Sequence, residues 1–546
     1  MKRAGTPDAV ATRRTDPMVG SGPSSPSATP AGAFQATSRQ GMLFRLLIAA
    51  ALGVAHTQAF APHDWWWLQI LSVAGLVALV ADAPRPRAAA ATAYAFGMGW
   101  FLSGIWWLYI SMHVYGEMPA WMAALAVVLF AGYLSLWPAL AAALWHWLTR
   151  RGRDGILAAL AFGAAWALSE WLRGVVFTGF PWLGSGYPHT DGPLSGFAPL
   201  FGVYGISFLA ASASALLVAG VRAALRRSEP GATGTAAGSA GLIVATLGGG
   251  LALAPLAYTV PVGQPINVRL LQGNVAQDIK FEPVGIQRSL ELYRDLITAA
   301  PADLVVTPET AFPVILQDLP LDIAKDVRSY MEKTGTTVVF GAAGADSPVD
   351  FTNSVFAIGP EQNELYRYNK HHLVPFGEFI PFGFHWFVNM MKMPLGDFRR
   401  GTLDQPAVPV RGIHVAPNIC YEDLFGEEIA TTLRQQATPA NMLANVTNLA
   451  WFGDTIALDQ HLQISRMRAL EMRRPMLRAT NTGMTAVVGP DGKVQARLPT
   501  FEVGTLTASV QGMQGLTPYI RWGNVPALAG SVLVLLLALR ARRRAA

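Results

Sequence analysis

The sequence is short of cysteine and of charged residues. Cys420 is the single cysteine among 546 residues, which excludes intramolecular disulfides and multi-cysteine zinc or iron–sulfur sites. Only 14% of the residues are charged, against about 25% in an ordinary soluble domain. A net charge of +6 is too small for a nucleic-acid-binding surface, so no nucleic acid partner is expected. The one thiol is either an inert core residue or a reactive group.

The hydrophobic residues, 52% of the chain, are concentrated in its first half and at its end. Residues 40–258 carry 17 charged side chains, whereas residues 259–512 carry 47. A hydrocarbon core is crossed by about 20 apolar residues, and eight runs approach that length. These runs predict an eight-span helical bundle, with spans at 43–60, 65–82, 89–111, 119–148, 155–173, 195–221, 240–258 and 525–539.

The connections between the runs predict the orientation in the membrane. Lys and Arg in short loops mark the cytoplasmic side, and basic loops alternate here with loops that contain neither. Seven spans from a cytoplasmic N-terminus then place residues 259–512 outside the cytoplasm. We therefore predict a disordered cytoplasmic tail at 1–40, a membrane domain at 41–259, an extracytoplasmic domain at 260–512, and a last span with a basic tail at 513–546.

Short β-branched runs alternate with helical stretches after residue 266, which is typical of a layered α/β domain. Strands are predicted at 267–274, 302–307, 336–341, 353–358, 364–368, 413–419, 440–446, 476–481 and 484–489, with helices at 284–299, 321–334 and 455–472.

Three residues able to do chemistry lie just after apolar strands, where catalytic residues are commonly found. They are Glu309, Lys370 and Cys420. Taken singly, each has another interpretation: a carboxylate at a turn, a solvated lysine, and a small buried thiol. His371 and His372 are adjacent and have no Cys or His cluster beside them, so neither a metal site nor a cofactor is predicted.

Two ionisable residues fall inside the fifth apolar run. Glu170 and Arg173 are functional candidates at membrane depth, or else they pair at i, i+3 or reach the interface. An uncharged aromatic and glycine-rich loop follows and includes Trp182. It is expected either to line a lipid-facing cleft or to belong to an interfacial aromatic belt.

Four strings in the extracytoplasmic domain resemble motifs of the nitrilase superfamily. They are Thr307-Pro-Glu-Thr, Asn369-Lys-His-His-Leu-Val-Pro-Phe-Gly-Glu-Phe-Ile-Pro, Asn418-Ile-Cys-Tyr-Glu-Asp and Asn448-Leu-Ala-Trp-Phe-Gly-Asp. Together with the spans, and with Glu170-Trp-Leu-Arg-Gly and Thr178-Gly-Phe-Pro-Trp-Leu, they make the chain closely resemble the bacterial apolipoprotein N-acyltransferase family. The resemblance covers about residues 43–540.

The resemblance implies an αββα catalytic domain at 260–512, on the periplasmic face of the bacterial inner membrane. It implies transfer of an acyl chain from the sn-1 position of a phospholipid, commonly phosphatidylethanolamine, to the cysteine. The acyl chain then passes to the N-terminal α-amine of a diacylglyceryl-cysteine apolipoprotein. By the same resemblance, Cys420 is the nucleophile, Glu309 the general base and Lys370 the electrostatic stabiliser. The family motifs also place Glu378, Tyr421 and Glu422 at the site.

The chain departs from the family pattern at Phe281, where a tryptophan is expected, and this residue and Trp182 are candidates for lipid contact. The apolar stretch at 382–395, with Met390 and Met391, is either a mobile lid or an ordinary packed segment. Two other functions stay open: a membrane-anchored amidase or nitrilase that uses water, and a transporter or sensor whose outer domain only binds a ligand. A membrane-anchored amidase or nitrilase would need only one span as its anchor. Many transporters have internal repeats, and we find none among the spans of this chain.

Overall fold

The computed structural model describes residues 39–149, 154–347, 349–362, 364–381, 383 and 397–544. Within these ranges, seven helices are long and apolar enough to cross a membrane. They are α1 (Arg39–Thr57), α3 (Pro86–Ile105), α4 (Ala120–Leu148), α5 (Ile156–Val175), α6 (Ala198–Leu225), α7 (Ala232–Leu253) and α12 (Val525–Arg544).

The second predicted span forms a shorter helix, α2 (Trp66–Ala81), of 16 residues. It is apolar but falls short of the roughly 20 residues that cross a hydrocarbon core. The structure therefore supports seven spanning helices, and the count of eight remains a prediction.

Small residues let the membrane helices approach closely. A Cβ atom at Gly53 of α1 would lie 1.9 Å from the Phe96 carbonyl oxygen of α3, and one at Gly99 of α3 would lie 2.1 Å from the Ala50 carbonyl oxygen. Larger side chains would push the two backbones apart, so these glycines permit the contact between α1 and α3.

Two sheets make up the α/β part. The strands are β1 (Val260–Gln272), β2 (Leu304–Val306), β3 (Phe312–Ile315), β4 (Thr337–Ser347), β5 (Asp350–Ile358), β6 (Tyr366–Asn369), β7 (Val408–Val410), β8 (Ile413–Ile419), β9 (Met442–Thr447), β10 (Met476–Thr480), β11 (Ala486–Val488), β12 (Val494–Arg497) and β13 (Gly504–Gln514). The first sheet has the strand order β13-β1-β2-β4-β5-β6, with β3 paired to β4, and the second has the order β12-β11-β10-β9-β8-β7. β1, β2 and β4 are parallel, as are β8, β9 and β10.

The central strands β2, β9 and β10 are buried on both faces. In β2, Leu304 and Val306 enter a core shared by the two sheets, whereas Val305 faces the opposite way, toward helices α8 (Pro283–Thr298) and α9 (Leu321–Thr334). In β9, Ala444 enters the shared core and Leu443 faces α10 (Gly426–Gln435) and α11 (Ala457–Met472). Successive side chains of a strand thus point alternately to the core between the sheets and to the helices outside, which gives four layers in the order αββα. The predicted nitrilase-like sandwich is confirmed.

The α/β part is bonded to the helical part at several points, and Phe44 onward forms one compact unit. Gln460 of α11 accepts a hydrogen bond from Trp182 Nε1 at 2.8 Å. Glu471, also on α11, accepts one from the Val203 amide at 2.8 Å, beside the break in α6 at Gly202. Because both acceptors are buried, these bonds fix α11 against the membrane helices.

Candidate active site

Glu309, Lys370 and Cys420 lie just beyond the ends of β2, β6 and β8, and the two sheets bring them together. Lys370 Nζ is 3.5 Å from Glu309 Oε1 and 2.9 Å from Glu378 Oε1. All three of these ionic side chains are buried. Buried charges need partners, and here one ammonium is shared by two carboxylates.

Asn353 of β5 completes this group, and the sequence did not single it out. Its side-chain amide donates to Glu309 Oε1 at 2.7 Å and to Glu378 Oε1 at 2.6 Å. Its carbonyl oxygen accepts from the Lys370 amide at 2.9 Å. The second oxygen of Glu309 accepts from the Asn448 amide at 3.0 Å, so both carboxylate oxygens are held in place.

Cys420 begins the short helical turn Cys420–Leu424 with φ of 53°, a value that non-glycine residues rarely adopt. Its carbonyl oxygen accepts from Asn445 Nδ2 at 3.3 Å and from His461 Nε2 at 3.2 Å. Strain of this kind persists only where the surroundings hold the backbone, and such positions are frequent at active sites. The turn directs the thiol toward the charged group.

Burial and neighbouring charges together shift the pKa values of the Cys420 thiol and the Lys370 ammonium, and both lie above their ordinary values. Burial, and then the charge of Glu309, raise the pKa of the Cys420 thiol to about 12, although Lys370 acts in the opposite direction. Burial alone would lower the pKa of Lys370, but Glu378 and Glu309 outweigh it and raise that pKa above its ordinary value. At neutral pH the site therefore holds a protonated thiol and a protonated lysine, and the thiol needs a base in order to react.

Glu422 joins the loop of Lys370 to the turn of Cys420. It accepts hydrogen bonds from the Ile419 amide at 2.6 Å, from the His371 amide at 2.6 Å and from the Tyr368 hydroxyl at 3.0 Å. Burial raises its pKa to about 7, while the Ile419 amide and Lys370 act in the opposite direction. The side chain is fully enclosed, so its role in the geometry is to hold two loops together.

The loop after α5 reaches the same site from the membrane side. The Tyr421 hydroxyl donates to the Gly179 carbonyl at 2.8 Å, and His372 Nε2 donates to the Thr178 carbonyl at 2.9 Å. Tyr421 is adjacent to Cys420, and His372 is two residues from Lys370. The loop at 176–185, here called the membrane loop, is therefore part of the wall of the site.

Glu170 and Arg173 hold the membrane loop. Both are buried. Arg173 donates to the carbonyl oxygens of Phe180 and Trp182 at 2.7 and 2.6 Å, and Glu170 accepts from the Ser185 amide at 2.9 Å. Glu170 also accepts from Trp166 Nε1 of α5 at 3.1 Å, so the two residues join α5 to the membrane loop.

The candidate lipid-contact residues have different surroundings. Trp182 is buried, and its ring centroid lies 5.6 Å from that of His461, which bonds to the Cys420 carbonyl. Phe281 is 53% exposed, next to the buried Lys280. Met390 and Met391 lie outside the described residues. Among the residues that are described, no group of three or more His, Cys, Asp or Glu side chains is arranged to hold a metal ion.

Comparison with known proteins gives matches over both parts of the chain. The family model "Apolipoprotein N-acyltransferase N-terminal domain" matches residues 52–216, and "Carbon-nitrogen hydrolase" matches residues 268–519. An apolipoprotein N-acyltransferase of Ralstonia nicotianae is 66% identical over 525 residues, which are 96% of this chain and 98% of that protein. One of Chromobacterium violaceum is 42% identical, over 95% of this chain and 97% of its own length.

Among solved structures, an amidase from Nesterenkonia sp. is similar at 18% identity and a TM-score of 0.35. The similarity covers 50% of this chain and 97% of the amidase.

Proposed function

The chain belongs to the apolipoprotein N-acyltransferase family, and on that premise we propose a complete reaction for it. It is an acyltransferase of the nitrilase superfamily that acts in lipoprotein biosynthesis. In the proposal, an acyl chain leaves the sn-1 position of a phospholipid and forms a thioester with Cys420. It then passes to the N-terminal α-amine of a diacylglyceryl-cysteine apolipoprotein.

One observation carries the proposal: the Lys370 ammonium lies between two carboxylates, with the protonated thiol of Cys420 beside them. A thiol with a pKa of about 12 is almost wholly protonated at neutral pH, so attack on an ester needs a base at the site. Glu309 is the carboxylate whose charge acts most strongly on that thiol. Glu378 is the closer carboxylate to Lys370 and neutralises part of its charge.

In the first half-reaction, Glu309 takes the thiol proton as Sγ attacks the ester carbonyl carbon. Lys370 and the backbone amide of Tyr421 stabilise the oxyanion, and one preorganised donor of this kind is worth about 2.7–4 kcal/mol. The bond from carbon to the glycerol oxygen then breaks. Glu309 returns the proton to that oxygen, and the lysophospholipid leaves.

In the second half-reaction, the α-amine attacks the thioester carbonyl and Glu309 accepts a proton from it. The carbon–sulfur bond breaks, the thiolate is reprotonated and an amide remains on the lipoprotein. Water competes with the amine, so the thioester must be shielded between the two steps. The membrane loop accepts a hydrogen bond from Tyr421, next to Cys420, and in the proposal this loop and the buried Trp182 supply the shielding.

The protein is a multi-pass membrane protein, as its apolar helices and family indicate. We further propose eight spans, with domain boundaries at residues 40, 259 and 512. The catalytic domain then lies in the periplasm, at the bacterial inner membrane. Donor and acceptor are both confined to the bilayer, so an active site fixed to the membrane gains effective concentration. Phosphatidylethanolamine is the proposed donor.

The test is the intact mass of the purified full-length protein after incubation with phosphatidylethanolamine of defined acyl chains. We expect a gain of one acyl chain, absent from a Cys420→Ala variant and discharged by a diacylglyceryl-cysteine peptide. Discharge by buffer alone at the same rate would identify a hydrolase and contradict the transferase. No adduct, or an adduct also on the variant, would contradict Cys420 as nucleophile.

A further inference from the structure

Lys280 is a buried lysine that the proposed reaction does not use. Its side chain is 1% exposed. Its Nζ atom is 2.9 Å from Thr310 Oγ1 and 3.3 Å from the Glu309 carbonyl oxygen, and donates to both. Burying a charge is unfavourable unless partners offset the lost hydration, and both partners of this ammonium lie in the turn that carries Glu309.

That turn has an unusual backbone. Thr310 has φ of 47°, a conformation that a β-branched residue adopts only when its surroundings impose it. Gly341 of β4 packs below it, since a Cβ atom there would lie 2.6 Å from the Thr310 amide nitrogen. Lys280 donates to the carbonyl oxygen of Glu309 and to the hydroxyl of Thr310, and these two bonds hold the backbone of the turn in this conformation.

The side chain of Glu309 is held by other groups. Its two oxygens bond to Asn353 and to the Asn448 amide, and Lys370 lies 3.5 Å away. None of these contacts fixes the backbone from which the side chain projects. Lys280 supplies that constraint, and its positive charge also attracts the Glu309 carboxylate.

We propose that Lys280 is a positioning residue for acyl transfer. Its ammonium fixes the Glu309–Thr310 turn, so that the Glu309 carboxylate meets the Cys420 thiol. The proposal rests on the proposed function, in which Glu309 is the base. A displacement of about 1 Å in a catalytic group is enough to lower a rate about 100-fold.

The charge of Lys280 gives the proposal a pH signature. Burial lowers the pKa of Lys280 to about 8, and Glu309 acts in the opposite direction. Its sequence neighbours Asp278 and Glu282 are exposed, and the Glu309 carboxylate that acts on it also lies 3.5 Å from Lys370 Nζ. The ammonium is therefore present below pH 8 and lost above it. Positioning of Glu309 should weaken in the same range.

The experiment measures the rate of Cys420 acylation by phosphatidylethanolamine, without acceptor, between pH 6 and pH 9. Full-length wild type is compared with Lys280→Met, which keeps the length of the side chain and removes its charge. Leaving out the acceptor removes the titration of its amine. The ratio of the two rates isolates the part of the pH dependence that comes from Lys280.

We expect wild type to acylate about 10- to 100-fold faster than Lys280→Met below pH 7, with similar KM for the lipid. The ratio should fall toward one as the pH rises through 8. Lys280→Arg, which stays charged, should recover part of the rate and keep it to pH 9. Lys325→Met, on the exposed face of α9, is the matched control and should equal wild type.

A ratio near one at every pH, or a large ratio that does not change with pH, would overturn the proposal and leave the thioester reaction standing. Absence of acylation in wild type would instead overturn both. If Lys280→Met does not fold, Thr310→Val carries the test. It removes one acceptor of the ammonium at nearly constant shape, and an unchanged rate between pH 6 and pH 7 would contradict the proposal.

Discussion

The amide of Asn353 bonds to two carboxylates with its one nitrogen, and these carboxylates share the ammonium of Lys370. Two carboxylates, one ammonium and one neutral donor are thus packed together at buried positions. In such surroundings an added charge has a large effect, because little water is present to screen it. The neutrality of residue 353 is therefore as important as its hydrogen bonds.

Replacing Asn353 by Asp should be more harmful than replacing it by Ala. Either change removes two hydrogen bonds to charged groups, each worth about 1.5–3 kcal/mol, but Asp adds a third carboxylate to the cluster. We expect Asn353→Ala to lower the rate of Cys420 acylation at least 10-fold, and Asn353→Asp to lower it further. Intact mass against time measures both.

Asn441 supplies the matched control, since it is as buried as Asn353 but lies before β9, away from the charged group. Asn441→Asp tests the general effect of a buried Asn-to-Asp change. Equal losses at the two positions would show that Asn353 acts only through stability.

At the scale of elements, the sequence predicted the strands that precede Glu309, Lys370 and Cys420, because β2 and β8 have apolar runs and β6 alternates tyrosine with polar residues. It missed β3, β7, β12, β13 and α10, which are short or, in β13, only half buried. Asn353 was missed for a related reason. It is one polar residue in the polar run Thr352-Asn-Ser, and only the pairing of β5 with β4 and β6 shows which side chain faces the site.

The membrane loop belongs to a different kind of element, one whose shape depends on two buried charged residues. Arg173→Met should release the carbonyl oxygens of Phe180 and Trp182 and let the loop move away from Tyr421. We expect acylation of Cys420 to slow about 10-fold or more, since hydrogen bonds to a charged group are lost in a buried site. Acylation rates from intact mass against time check this.

Arg222→Met is the control for that change. Arg222 also lies in a membrane helix, but it pairs with Asp82 and Asp154, away from the membrane loop. Its loss should leave acylation within about twofold of wild type. Similar losses in both variants would mean that the bundle, and not the loop, sets the rate.

At the scale of the whole molecule, the proposed orientation has a direct test, because the chain has one native cysteine. In a Cys420→Ala background, Leu321→Cys places a thiol at the exposed start of α9 and Ser228→Cys places one in the exposed connection between α6 and α7. In the proposed orientation the α/β part lies outside the cytoplasm and the basic loops lie inside it. A membrane-impermeant maleimide should therefore label only Leu321→Cys in intact spheroplasts.

Permeabilised spheroplasts show that both thiols are reactive and serve as the control. Labelling of Ser228→Cys before permeabilisation, with Leu321→Cys protected, would reverse the proposed orientation. Labelling of both positions in intact spheroplasts would contradict the number of crossings between them.

The hydrogen bonds between the helices and the sandwich also bear on how this protein evolves. Tyr421, His372, Gln460 and Glu471 all find partners in the membrane part. A soluble relative of the sandwich could not be exchanged for it as a ready-made module, because each of these partners would lose its bond. The two parts must diverge together, and substitutions on one side of the contact should be accompanied by compensating substitutions on the other.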